Sequence, residues 1–279
     1  MKVLSLFDGI SAGQLALQRA GIKCDYYASE IDKYTIKVTQ ANYPNTTQLG
    51  DVTQIKNQPC DLLLAGSPCQ GFSFAGKQLN FDDERSKLFF EFLRIKEESS
   101  PKYFLLENVK MKQEYQDVIS KLVGVQPIKI NSALVSGQSR TRLYWTNIPF
   151  LIPNDKGIEF KDILETGVDK KYYVSERQLG RLDLGNLSRA GGICFQLPGK
   201  EMSKCPCLMA RHYKGISGRD YYPVVIETDG LRKLSPEECE KLQTFPVGYT
   251  KSVSDTQRYK ALGNSWSVDI ISQILKGTR

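Results

Sequence analysis

Four side chains in this sequence have the types and spacing for covalent chemistry on a ring. Cys69 stands in "LLLAGSPCQGFSFAG", where an apolar run gives way to small residues, glycines and aromatics. A thiol kept for packing sits inside such a run as a small hydrophobe. One at the strand exit sits where α/β proteins place their chemistry. Glu107 ends the strand-like "KYFLLENV", and Arg140 and Arg142 lie in "GQSRTRLYW". Carbon 5 of cytosine is too weak a nucleophile to attack a methyl donor, but a thiolate added at carbon 6 makes it enamine-like. A carboxyl at nitrogen 3 neutralises the charge that develops on the ring, and cations assist at the ring oxygen. Each residue also has a duller reading, as a buried thiol, a helix cap or a solvated strand edge. Their joint order on successive strand ends outweighs those readings.

The elements around them alternate. "KVLSLF" reads as a strand, and "DGISAGQLALQRAG" as a glycine turn into a helix that Gly21 ends. "CDYYASE" is a second strand, "IDKYTIKVTQANYP" a helix stopped near Pro44, and "CDLLLAG" a further strand. "RSKLFFEFLRIKEES" has apolar positions at helical spacing. "QEYQDVISKLVGV" is a helix, and "PIKINSALV" and "RLYWTNI" are strands. This alternation predicts an α/β fold with a doubly wound, mainly parallel sheet. After about Phe150 the pattern changes. Residues 151–230 hold short segments rich in turns and cations, such as "GNLSRAGG" and "KGISGRD". Helical order returns with "SPEECEKLQTF", where Ser235, Pro236 and Glu238 form a capping box, and with "SWSVDIISQILKG".

The first strand end carries "LFDGISAG", whose Gly9 and Gly13 do not match the G-x-G-x-x-G spacing of a dinucleotide site. Glu30 ends the second strand, and Asp51 follows Gly50 after the next segment. Strand ends line up along one edge in this topology. An acid at the second suits ribose hydroxyls, and one after the third suits the exocyclic amino group of adenine. No phosphate-loop lysine accompanies them. A nucleoside with an amino-acid tail and no phosphate fits, which is S-adenosylmethionine, with S-adenosylhomocysteine as product.

Composition narrows the alternatives. The chain has 279 residues and a net charge of +7, and a pI of about 8.9, a balance that suits a polyanionic partner. His212 is the only histidine, which disfavours Ser-His and Cys-His hydrolase chemistry. The seven cysteines include no C-x-x-C pair, so neither a disulfide framework nor a zinc site is expected around Cys194, Cys205 and Cys207. No apolar stretch nears the roughly 18 residues of a membrane span, and "MKVLSLFDGI" lacks a signal peptide's core. These features predict an intracellular, cytoplasmic protein with no membrane partner and no metal.

Taken together, the motifs resemble the DNA cytosine-5 methyltransferase family. "LSLFDGISAGQLAL" is similar to its first motif, which implies cofactor contacts at Phe7, Asp8, Gly9 and Gly13. Glu30 with Ile31, and Asp51 with Val52, match the ribose and adenine motifs. "GSPCQGFS" matches the catalytic loop, with Cys69 as nucleophile, Pro68 beside the cofactor, and Gln70 and Ser73 toward DNA. "ENV" places Glu107 on the target base, and "QSRTRLYW" matches Gln-x-Arg-x-Arg through Gln138, Arg140 and Arg142, with Gln138 toward DNA. "ALGNSWSV" returns Asn264 and Ser265 to the cofactor. "LFFEFLRI", "GYT" and "GNSWSV" also resemble the animal de novo branch. The resemblance implies a Rossmann-like class I methyltransferase domain over about 1–150 plus 231–279, with 151–230 as a target-recognition domain.

The same resemblance implies a DNA (cytosine-5-)-methyltransferase that flips its base out of the duplex. Its partners would be double-stranded DNA and a cognate restriction enzyme in a bacterial or phage system, and it would act as a monomer. Arg85 is a candidate phosphate contact. Arg211 and Arg219, in "MARHYKGISGRDYY", are candidates for reading guanine. An RNA substrate, a binding protein without catalysis and a donor of a larger alkyl group remain as other readings.

Overall fold

The computed structural model describes residues 1–66, 84–176, 193–196, 202–214, 222–228 and 230–279. They form two compact units: 1–131, 141–153 and 268–279 in the first, and 132–140 with 154–267 in the second.

The first unit is built on a seven-stranded sheet. Its strands are β1 (Lys2–Leu6), β2 (Asp25–Ser29), β3 (Thr47–Gln48), β4 (Leu62–Gly66), β5 (Tyr103–Val109), β6 (Ile128–Asn131) and β7 (Thr141–Thr146). They lie in the order β3-β2-β1-β4-β5-β7-β6. β1 pairs in parallel with both β2 and β4, and β5 in parallel with β4, whereas β7 is antiparallel to β5 and β6. The sheet is therefore α/β and mainly parallel, as the alternation predicts. β1 and β4 are buried along nearly their whole length rather than on alternate residues, the pattern of strands covered on both faces.

Helices α1 (Ala12–Arg19), α2 (Lys33–Asn42), α3 (Glu84–Ser99) and α4 (Gln113–Val123) supply that cover. α3 buries Phe89, Phe92 and Ile95 in a core shared with Leu4, Leu63, Leu106 and Trp145, because these three positions fall on one face at helical spacing. The Trp145 indole donates to Ser120 Oγ at 3.0 Å, which satisfies its buried N–H.

The second unit holds a three-stranded sheet of β8 (Ile193–Gln196), β9 (Tyr222–Glu227) and β10 (Gly230–Lys233). Two helices follow, α5 (Pro236–Leu242) and α6 (Asp255–Asn264), while α7 (Val268–Leu275) packs on α1 in the first unit. The capping box at α5 is formed: Ser235 Oγ accepts from Glu238 N at 3.1 Å, and Glu238 accepts from Ser235 N at 2.8 Å.

The units divide the chain elsewhere than the expected boundaries at 150 and 231. Residues 231–267 pack with 154–230, and only the stretch from 268 onward joins the sheet. The reason is buried charge. Arg232, with no exposed surface, reaches Glu238 at 2.8 Å and Glu227 at 2.7 Å, which ties β9, β10 and α5 together. Arg258 does the same from α6, bonding Glu237 at 2.7 Å and Glu240 at 3.1 Å. The predicted strand "PIKINSALV" stops at Asn131 because a 3-10 turn follows over Ser132–Leu134.

Removing one partner of such a pair leaves an uncompensated buried charge. Glu238→Ala is expected to lower unfolding free energy by about 3 kcal/mol or more in urea titrations, whereas Lys161→Ala, which breaks the exposed pair with Glu159, changes it by less than about 1 kcal/mol.

Candidate active site

In the first unit, the exits of β1 and β2 meet at one carboxylate. Glu30 Oε2 accepts from Gly9 N, and its Oε1 from Ile31 N and Asp32 N, each at 2.8 Å. The turn after β1 winds through left-handed backbone at Phe7 and Gly9. A Cβ at Gly9 would meet nothing within 4 Å, so open space lies in front of this turn. Ile31, beside Glu30, is 76% exposed.

The other expected cofactor contacts fall out differently. The Asp8 carboxylate turns inward, taking the Ser11 hydroxyl and, at 2.6 Å, the Tyr26 hydroxyl. Burial holds its pKa above the ordinary value, and the two hydroxyls pull it back only in part. Asp8 thus braces the turn from beneath rather than facing the open side. Thr39 Oγ1 donates to Ser11 Oγ at 3.1 Å and extends the brace to α2. Gly13 is buried in the first turn of α1. Val52 belongs to the core, while Asp51 is exposed and caps the 3-10 turn Val52–Gln54 by accepting from Thr53 N at 2.9 Å.

Further along the same sheet edge, Glu107 on β5 is 8% exposed and pairs with Arg142 on β7, whose Nε lies 2.9 Å from Glu107 Oε1. Antiparallel pairing sets Val109 opposite Arg142 and Glu107 opposite Tyr144, so the pair bridges neighbouring strands diagonally. On its other side, Glu107 is the register partner of Gly66, the last described residue before the segment with Cys69. Pro68, Cys69, Gln70 and Ser73 lie outside the described residues, as does Arg219; Arg85 lies in α3, but its side chain is outside the description.

In the second unit, Gln138, expected to face DNA, is fully buried and bonded within the unit. Its Nε2 donates to Leu242 O at 3.1 Å and to Gln243 Oε1 at 3.2 Å, and its Oε1 accepts from Leu208 N at 2.7 Å. A fully buried amide must find such partners. Arg140 is also inward, 4% exposed. It donates to Leu208 O at 2.9 Å, to Ser265 O at 2.8 Å and to Gly263 O at 3.3 Å, with Cys207 Sγ at 3.2 Å. It therefore clamps the segment that carries exposed Asn264 and buried Ser265. A Cβ at Gly263 would collide with the backbone of Met209 and Ala210, so glycine there allows the approach that Arg140 fixes. Arg211 is exposed on a 3-10 turn, Ala210–Lys214.

Sequence reasoning missed Tyr26, Thr39 and Gln243. Tyr26 carries a usable signal, since a tyrosine in a parallel strand needs a buried partner for its hydroxyl.

Residues 1–121 and 145–278 match the protein family described as C-5 cytosine-specific DNA methylase. Type II methyltransferase M1.ScrFI of Lactococcus lactis subsp. cremoris is 33% identical over 304 residues, covering 98% of this chain and 76% of that protein. Type II methyltransferase M.NlaX of Neisseria lactamica is 33% identical over 301 residues, covering 98% and 94%. The S. pombe Dnmt2 methyltransferase structure shares the fold with a TM-score of 0.79 at 21% identity, over 99% of this chain and 97% of that one.

The Asp8 brace has a measurable consequence. Its folded pKa lies above the ordinary 3.8, so its titration adds stability below that value and loses it as pH rises through the folded pKa. Tyr26→Phe removes a donor to the carboxylate and raises that pKa further. The variant is expected to be less stable by about 1–3 kcal/mol near neutral pH, with the gap narrowing as pH falls and Asp8 is protonated. Urea titrations across pH check this; a gap that widens toward acid would overturn it.

Proposed function

The chain belongs to the C-5 cytosine-specific DNA methylase family, and on that premise we propose that it methylates carbon 5 of a specific cytosine in duplex DNA through a covalent Cys69–cytosine bond. The observation that carries this reading is the Glu107–Arg142 pair, set beside the β4 exit from which the chain runs on to Cys69.

The residues after β1, β2 and β3 fit S-adenosylmethionine. Glu30 already takes three N–H donors, and a carboxylate has room for a further hydroxyl from ribose. Asp51 is exposed and uses one oxygen in its cap, leaving the other for the adenine amino group. Gly9 faces open space, and exposed Ile31 offers apolar surface to the base. Phe7, Asn264 and Ser265 complete the proposed set. When bound, S-adenosylmethionine supplies an electrophilic methyl group.

The reaction then proceeds on the base. The target cytosine leaves the stack, because its ring carbons are shielded within a duplex. The Cys69 thiolate adds to carbon 6 while Glu107 gives a proton to nitrogen 3, held in place by Arg142. Carbon 5 would then be nucleophilic enough to take the methyl group that S-adenosylmethionine, held at Glu30 and Asp51, would supply, with S-adenosylhomocysteine as the product. A water removes the carbon 5 proton; the carbon–sulfur bond breaks, the thiolate leaves and nitrogen 3 returns its proton. In this reading Arg140 is a positioning residue, since its donors are engaged by backbone carbonyls.

Target choice is assigned to residues 151–230, with Arg211 and Arg219 as base-reading candidates and Arg85, Gln70 and Ser73 as further DNA contacts. A cognate restriction enzyme in a bacterial or phage system, and action as a monomer in the cytoplasm, complete the proposal. The restriction-modification setting is supported by the Type II relatives.

The test is transfer from labelled S-adenosylmethionine to unmethylated duplex DNA, with converted cytosines mapped by sequencing. Wild type is expected to label carbon 5 at one short site, Cys69→Ala to give no product, and Glu107→Gln to lower kcat by about 100-fold or more. Label entering transfer RNA but not DNA would overturn the substrate, and full activity in Cys69→Ala would overturn the covalent step.

A further inference from the structure

Arg94 on α3 has every donor of its guanidinium engaged. Nε donates to Glu91 Oε2 at 2.9 Å, and Nη2 to the same oxygen at 2.6 Å. Nη1 reaches Glu98 at 2.9 Å. The remaining donors leave the helix: Nη1 bonds Ile55 O at 2.9 Å, and Nη2 bonds Val52 O at 3.3 Å. Glu98 in turn accepts from Asn57 N at 3.3 Å. α3 therefore grips one short stretch, 52–57, by its backbone at three points. That stretch begins with the 3-10 turn that Asp51 caps.

The ion pairs alone explain little of this arrangement. The Arg94 side chain is 31% exposed, and ion pairs at such sites add little to folding. Its two carbonyl bonds are part-buried and reach residues whose side chains lie in the core, Val52 and Ile55. The fork therefore satisfies both acceptors and also holds them at a fixed spacing from a helix. The planar fork of arginine does this, whereas a lysine ammonium on a flexible stem reaches only as a point charge. Glu91 and Glu98 flank the fork and fix its plane.

We propose that Arg94 is a positioning residue for recognition of the cofactor's nucleobase, holding the Asp51 turn at the height where its carboxylate meets the exocyclic amino group of adenine. This rests on the reading of Asp51 given above. Arg94 touches neither cofactor nor base in this account. It acts through Val52 O and Ile55 O, and its effect is on selectivity for the amino group.

The experiment uses the full chain and two ligands, S-adenosylhomocysteine and its purine analogue in which hydrogen replaces the 6-amino group, with affinities by calorimetry. Wild type prefers the amino compound. Arg94→Lys keeps the positive charge between Glu91 and Glu98, and is expected to weaken S-adenosylhomocysteine about five- to tenfold while leaving the analogue nearly unchanged, so that the preference collapses. At saturating S-adenosylmethionine, kcat stays within about twofold of wild type, since the adenine contact is remote from methyl transfer. Arg94→Gln gives the same pattern should the lysine variant fold poorly. Asp51→Ala, which removes the acceptor, is the control for the underlying reading. If Asp51→Ala abolishes the preference and Arg94→Lys retains it, the Arg94 proposal is overturned and the Asp51 reading stands. If Asp51→Ala keeps the preference, the Asp51 reading fails and the proposal falls with it. Equal weakening of both ligands by Arg94→Lys would mark a merely structural role and would also overturn it.

Discussion

The carboxylate of Glu30 is the point on which the first unit's working edge depends. β1 pairs in parallel with β2 on one side and β4 on the other, and at such a point the connections that leave the strand ends run apart. Something must hold the β1 and β2 exits together there. Glu30 does so with three N–H donors from two different turns, a charge-assisted arrangement stronger than neutral pairing. The left-handed residues at Phe7 and Gly9 become tolerable because their backbone is fastened from this side by Glu30 and from beneath by Asp8, Ser11 and Tyr26. The turn is thus over-determined, which is how a strained backbone persists.

The second unit solves a different problem with the same means. It has little regular structure among the described residues and is held by buried polar ties between its segments. Gln138, Arg140, Arg232 and Arg258 provide them from the interior. Gln138 and Arg140 address backbone carbonyls as well as side chains, and this choice matters. A guanidinium directed at carbonyls fixes the path of a chain without constraining the side chains it carries. Arg140 holds 263–265 in place while Asn264 stays exposed.

The sequence made the local patterns legible. The turn after β1, the acids at the ends of β2 and β3, the capping box at Ser235 and the strand bearing Glu107 each depend on neighbours within a few residues. The inward roles of Gln138 and Arg140 were not legible, because their partners lie about 70 to 125 positions away. A motif tells which residue is needed and not which way it points. The compact units divide the chain elsewhere than the change in composition for a related reason. The change in composition at Phe150 marks where periodicity fails, whereas the compact units follow buried ion pairs such as Arg232–Glu238 that composition does not reveal. Arg94 was hidden by its setting, since an arginine between glutamates at helical spacing reads as a solvated face.

A division of labour follows from where the charges sit. The charged side chains that act as braces, Asp8, Arg140, Arg232 and Arg94, meet other protein groups and are buried or fully engaged. Those proposed to meet a ligand keep part of their bonding capacity. Glu30 and Asp51 accept backbone N–H groups that fix the carboxylate's position, and the lone pairs left over face outward chemistry without any reorganisation of the site. Preorganisation of this kind places the cost of orienting a polar group in folding rather than in binding. It also explains why the braces are built from groups with several donors or acceptors. A carboxylate with three backbone donors, or a guanidinium on two carbonyls, cannot rotate away without breaking more than one bond. The geometry proposed to meet a ligand at this edge is thereby fixed by the fold itself.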